Sequence, residues 1–189
     1  MSPEIHEDFL SYVLKLEDRR TETLDLVVIH CTELPDLEMA RTFGEKIHYP
    51  ETGTGNCGHF YVDRDGLIEQ WAPLDRVAHH VRGFNPRSIG IELVNTGRYP
   101  DWFDSRNQEM SEPYPERQME ALVLLVRHLC HDLPGLVKVA GHEDLDTALI
   151  PAENAPGVMI RRKLDPGPQF PWTAFMKSVP LHRFHAEGP

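Results

Sequence analysis

The sequence predicts a single α/β (α+β) domain with a central mixed β-sheet flanked by helices. Three observations carry that expectation. Residues 24–31 (LDLVVIHC) and 88–95 (SIGIELVN) are apolar, partly β-branched runs of the kind that form strands buried on both faces. Residues 59–72 read HFYV, then Asp63-Arg64-Asp65-Gly66, then LIEQWA, which is the pattern of a hairpin closed at an Asp-Gly turn. Residues 115–132 place Met119, Leu122, Val123, Val126 and Leu129 at helical spacing, giving one apolar stripe. Strands alternating with helices fit a layered domain around one sheet.

Taken in order, residues 1–23 are polar but carry Phe9, Leu10, Val13, Leu14 and Leu16, a spacing that predicts a short amphipathic helix lying on the domain. The strand at 24–31 follows. Residues 37–48 are expected to be helical, entered after Pro35 with Asp36 as N-cap. Gly53 to Gly55 mark a loop before the hairpin. After the strand at 88–95, residues 96–114 are rich in Pro, Asp, Ser and Asn and read as a long surface loop. The helix at 115–132 stops before Pro134-Gly135, residues 137–140 form a short strand, the proline-rich stretch 151–171 is an ordered loop, and 172–179 is a closing helix. The expected division is an N-terminal extension at 1–23, a domain at 24–180 and a tail at 181–189.

Thirty acidic residues against 19 basic ones give a formal net charge of −11, and the densest basic run is only Arg161-Arg162-Lys163. Nucleic acid and anionic membranes need clustered cations, so neither is an expected partner. Cys31, Cys57 and Cys130 are an odd set with no CxxC spacing, which predicts free thiols in a reducing compartment. The first residues show no basic stretch leading into an apolar one, and no apolar run is long enough to span a bilayer. A cytoplasmic location is expected, with signal-independent export as the other route.

Several side chains could carry chemistry. His30 ends a very apolar strand and His142 follows Ala140-Gly141 at the end of another; a lone histidine in either place is more often a hydrogen-bonded core residue than a ligand. Asp165 alone could be a turn residue. Two imidazoles and one carboxylate are nevertheless a ligand set that a catalytic zinc prefers. Cys31 follows His30 in a strand, so its side chain should face the other way and pack. Glu92 interrupts the apolar run 89–94, where a charge is costly unless it is paired or functional. Ile89, Ile91 and Leu93 should share one face, leaving Gly90 and Glu92 on the other with room for a ligand. Lys163, two residues from Asp165, could face a developing oxyanion or could simply be solvated. His59, His79 and His80 are further candidates, and at most one of the adjacent pair His79/His80 should face a shared site.

In this order, VVIHCTE (27–33), GHFYVDRDGLIEQW (58–71), AHHVRG (78–83), SIGIELVN (88–95), AGHEDL (140–145) and RRKLDPGPQFPW (161–172) resemble the N-acetylmuramoyl-L-alanine amidase type 2 family. That family includes cytoplasmic recycling amidases of the AmpD type, phage amidases and peptidoglycan recognition proteins. The resemblance implies the amidase type 2 fold and one Zn2+ per chain held by His30, His142 and Asp165. It makes Glu92 the general base that activates water and Lys163 the group that stabilises the transition state. The implied substrate is the amide between N-acetylmuramic acid and L-alanine in peptidoglycan or muropeptides. His79, His80, Leu93 and Arg64 are expected to contact it. Aspartate as third ligand resembles the AmpD-like branch, whereas many phage and recognition members carry cysteine there. The chain departs from that branch at His79, where a tryptophan is usual, and in longer stretches at 143–160 and 96–114, which are expected to border the cleft. A non-catalytic peptidoglycan-binding module and a phage or toxin lytic amidase are the other readings.

Overall fold

The computed structural model describes residues 2–186 of the chain. Its regular elements are, in order, β1 (His6–Glu7), β2 (Leu26–Cys31), α1 (Leu37–Gly44), β3 (Phe60–Val62), β4 (Ile68–Gln70), β5 (Ser88–Leu93), α2 (Glu116–Asp132), β6 (Lys138–Gly141), α3 (His142–Leu145), β7 (Leu149–Pro151), β8 (Met159–Arg161), α4 (Trp172–Ser178) and β9 (His182–Arg183). Seven strands form one mixed sheet in the order β1-β4-β3-β5-β2-β6-β9, and β7 and β8 form a separate hairpin. Within the large sheet only the β3–β4 hairpin is antiparallel.

The alternation read from β5 holds. Ile89, Ile91 and Leu93 join Val27, Ile29 and Val139 in a core packed against Leu122, Leu125, Val126 and Leu129 of α2. Burying each such side chain contributes roughly 1.5–3 kcal/mol, so the helix stripe and this sheet face stabilise each other. On the opposite face Leu26 and Val28 pack with Val81 and Ala140. His30 and Glu92 continue that face toward the carboxyl ends of their strands and stand opposite each other in register. Ile29 is paired with Gly141, so His142, the next residue after β6, emerges beside them. Open α/β sheets bind ligands at the carboxyl ends of parallel strands, where the chain leaves the sheet and side chains converge.

Asp36 caps α1 as expected, accepting from Met39 N–H at 2.7 Å. The hairpin turn closes with Gly66 at φ 94, the left-handed conformation that glycine tolerates.

Three expectations need correction. Residues 2–23 do not form the amphipathic helix expected over 1–23. Instead β1 pairs with β4, the backbone N–H groups of Asp8 and Leu10 donate to Gln70 and Trp71, and 3-10 turns follow at Val13–Lys15 and Thr21–Thr23. Leu10, Tyr12, Val13 and Leu16 are buried, while Leu14 is 80% exposed. A short isolated helix is marginal, and the open edge of β4 satisfied the backbone instead. The stretch 151–171 is not wholly loop, because β7 and β8 pair across it. The expected tail supplies β9 on the edge of β6, with Leu181 buried; residues 187–189 of that tail lie outside the described residues, as does Met1 of the extension.

The stretches 96–114 and 143–160 hold each other. Glu153 N–H donates to the Phe103 carbonyl at 2.9 Å, Ser105 N–H to Asn154 Oδ1 at 2.8 Å, and Asn154 Nδ2 to Ser105 Oγ at 3.1 Å. Among the described residues, no helix is long and apolar enough to cross a membrane.

Candidate metal centre and cleft

His30 on β2, His142 at the first position of α3 and Asp165 in the turn after β8 converge although far apart in sequence. One donor atom from each lies within 4.8 Å of the others, and all three residues are buried. Asp165 Oδ2 stands 3.0 Å from His30 Nδ1 and 3.1 Å from His142 Nδ1. Its turn is held by Glu143 N–H donating to the Asp165 carbonyl at 3.0 Å and Tyr114 Oη–H donating to the Pro166 carbonyl at 2.7 Å.

These residues fit a metal ion. In a tetrahedral site with bonds of roughly 2.0–2.1 Å, donor atoms stand about 3.3 Å apart, close to the spacings found here. Asp165 Oδ1 is buried without a hydrogen-bond partner, a costly state for a carboxylate unless a cation compensates it. Burial opposes ionisation of Asp165, yet contacts with His142 and His30 and the charge of Lys163 hold its carboxyl well below the usual range. Burial lowers the His30 imidazole to about 4, so the ring is neutral and able to ligate at neutral pH.

Glu92 Oε1 lies 3.9 Å from His30 Nδ1, and the Glu92 side chain is 15% exposed. Burial, reinforced by Asp165 and opposed by Lys163, pushes its carboxyl well above the usual range. A Cβ at Gly58 would stand 2.8 Å from Glu92 Cγ, so glycine there makes room for this side chain. Lys163 lines the same cleft and makes no hydrogen bond or ion pair among the described residues. It is therefore free to face a ligand.

The cleft measures about 820 Å³, within the range of small-molecule sites. Tyr49 and His79, edge to face at 4.9 Å, form part of one wall. Phe43, Trp102 and Phe103 also line it, with Trp102 Nε1 donating to the Glu33 carbonyl at 3.0 Å. The 96–114 stretch thus borders the cleft, as expected.

The remaining sequence candidates sort clearly. Both His79 and His80 line the cleft, but His80 turns its ring to His30, Nδ1 to Nε2 at 3.0 Å. The space beside Gly90 is filled by that ring, not left for a ligand. Leu93, expected at the substrate, is fully buried in the α2-facing core, because the strand alternation that aims Glu92 into the cleft aims Leu93 away from it. Arg64, also expected there, is outside the cleft lining. Its Nε donates to Glu112 Oε1 at 2.6 Å and its Nη1 to the Pro35 carbonyl at 2.8 Å, which holds it in the loop network. Fully buried His59 accepts from Gly90 N–H at 3.0 Å and serves as a strut beneath β5. Cys31 is buried, and burial pushes its thiol well up, which disfavours the thiolate a metal would need.

One feature was not legible in sequence. Fully buried Arg98 grips Glu33 through Nε to Oε1 at 2.6 Å and Nη2 to Oε2 at 2.8 Å. It also donates to the carbonyls of Arg161 at 3.2 Å and Arg162 at 3.3 Å, immediately before Lys163. Glu33 adopts φ 49, uncommon for a non-glycine residue. No local pattern marks either residue, because the pair forms only once two distant loops meet.

A model of the N-acetylmuramoyl-L-alanine amidase family matches residues 20–168. The chain is 31% identical over 123 residues to the 1,6-anhydro-N-acetylmuramyl-L-alanine amidase AmpD of Enterobacter cloacae, covering 60% of this chain and 52% of that protein. It thus spans about half the length of that relative. Its fold is similar to the endolysin amidase LysCS of Clostridium intestinale, with TM-score 0.66 and 22% identity over 96% of this chain and 99% of the other. It is also similar to AmiD of E. coli, solved with anhydro-N-acetylmuramic acid-L-Ala-D-gamma-Glu-L-Lys, with TM-score 0.61 and 23% identity over 82% of this chain and 57% of that one.

Proposed function

Because the chain belongs to the N-acetylmuramoyl-L-alanine amidase family, we propose that it hydrolyses the amide between N-acetylmuramic acid and L-alanine in soluble muropeptides, using one zinc ion. The observation that carries this reading is the convergence of His30, His142 and Asp165 within 4.8 Å, with Glu92 beside them. A complete donor set also supports an enzyme over a non-catalytic binding module. Two imidazoles and a carboxylate suit zinc, which when bound supplies Lewis acidity and lowers the pKa of water toward about 7.

The chain's own residues account for the rest. Glu92, with its carboxyl raised by burial, takes a proton from the attacking water and returns it to the leaving amide nitrogen, so the amine departs neutral. The Lys163 ammonium, without a protein partner, faces the negative charge that develops on the carbonyl oxygen. The cleft walls orient the sugar and the first peptide residues.

Soluble fragments are the favoured substrate. AmiD, a structural relative, was solved with such an anhydro-muropeptide, and here Trp102 and Phe103 of the 96–114 stretch add a wall to the cleft, held from behind by the Ser105–Asn154 contacts. A cytoplasmic, reducing setting belongs to the same reading and is supported by three free thiols. The test is to incubate zinc-loaded protein with an anhydro-muropeptide and, separately, with intact sacculi. Release of free peptide from the fragment is expected. No release at any zinc loading overturns the proposal, and faster action on sacculi would shift it to a lytic role.

A further inference from the structure

We propose that His80 is a positioning residue that fixes the tautomer of His30, so that the Nδ1 lone pair of His30 points at the metal. This rests on the reading of His30 as a metal ligand and assigns His80 a role other than substrate contact.

The direction of the hydrogen bonds follows from one end of the chain. The Phe84 carbonyl can only accept, and Ser88 Oγ donates to it at 2.8 Å. With its proton committed there, Ser88 Oγ accepts from His80 Nε2 at 3.2 Å. A neutral imidazole carries one N–H, so His80 Nδ1 is an acceptor. It lies 3.0 Å from His30 Nε2, which must therefore donate. His30 Nδ1 is then unprotonated and faces Asp165 Oδ2 at 3.0 Å. Two acceptors at that distance repel unless a cation lies between them, so this polarity presets a metal-binding arrangement.

His80 is built into this place. Its backbone N–H and that of Val81 donate to Asn85 Oδ1 at 3.1 and 2.7 Å. A Cβ at position 90 would stand 2.6 Å from His80 Cγ, so only glycine on β5 admits the ring. Ser88 and Gly90 lie on the strand face that also carries Glu92. Strand β5 therefore seats His80 and aims Glu92 with the same alternation. Partners of this kind, which orient a ligating histidine from behind, set its ring position and basicity.

The experiment measures zinc affinity of the full chain by competition with a chromophoric chelator for wild type, His80→Leu, His80→Asn and Ser88→Ala, with circular dichroism as the check on folding. His80→Leu is expected to weaken zinc binding about 10–100-fold. His80→Asn, whose amide oxygen can stand where Nδ1 stands, should recover most of that loss, and Ser88→Ala should lose less than His80→Leu. Nitrogen-15 NMR of the zinc-loaded wild type should find the His30 proton on Nε2. Unchanged zinc affinity in folded His80→Leu, no recovery in folded His80→Asn, or the His30 proton on Nδ1 in the metal-free chain overturns the proposal. If affinity follows His80 but no muropeptide is cleaved, the amidase reading falls while the positioning role stands.

Discussion

At the scale of single residues, Glu92 joins sequence anomaly to chemistry. Its carboxyl lies in a strand otherwise apolar, 3.9 Å from a histidine of the candidate metal centre, and burial raises its pKa well above the usual range. A structural carboxylate would have found an arginine or a lysine in contact, as Glu33 found Arg98. Glu92→Gln keeps the shape and removes the base. Peptide release should fall roughly 10²–10⁴-fold, while metal analysis should still find zinc bound. Near-normal turnover in that variant would remove Glu92 from the mechanism. The anomaly was legible in sequence because a charge in an apolar strand is expensive wherever the strand packs. Arg64 and Leu93 lie off the cleft lining for a different reason: proximity in sequence to matching stretches says nothing about which way a side chain points.

At the scale of elements, the cleft depends on contacts between segments with no regular structure of their own. Arg98 clamps Glu33 after β2 to the backbone of Arg161 and Arg162 after the start of β8, and the next residue is Lys163. Removing the guanidinium leaves Glu33 buried without its partner. Arg98→Ala should destabilise the fold by about 3–5 kcal/mol, the usual result of breaking a buried ion pair from one side. Urea unfolding checks this, and a loss below about 1 kcal/mol would place the pair among screened surface bridges. The strands and α2 were readable in sequence because periodicities of 2 and 3.6 record which face is buried. The N-terminal segment was not, because its apolar spacing fits a helix while the free edge of β4 offered it backbone partners.

At the scale of the whole molecule, three carboxyl-end exits from neighbouring parallel strands and one turn meet at the candidate metal centre. A ligand bound there by residues 30, 142 and 165 ties β2, α3 and the turn before α4 together. Metal should therefore stabilise the whole fold. At zinc concentrations 100-fold above its dissociation constant, the gain is about 2.7 kcal/mol. For a domain of this size that corresponds to a rise in Tm of about 5–11 °C. Differential scanning calorimetry with and without chelator measures it, and an unchanged Tm would argue against a metal shared among these elements.

What the sequence by itself determined is the set of elements facing the main core, the anomaly at Glu92 and, through the ordered resemblance of its motifs, the family and the donor triad. The elements and the anomaly follow from local periodicity and residue chemistry, which the linear chain records, whereas the family and the triad rest on the resemblance. The tertiary structure alone decided that His80 stands behind His30, that Arg98 bolts the loops beside Lys163, and that residues 2–23 lie along the sheet edge. Each of those depends on which distant backbone or side-chain group is close enough to satisfy a hydrogen bond. Only the register β5-β2-β6 and the packing around it supply that proximity.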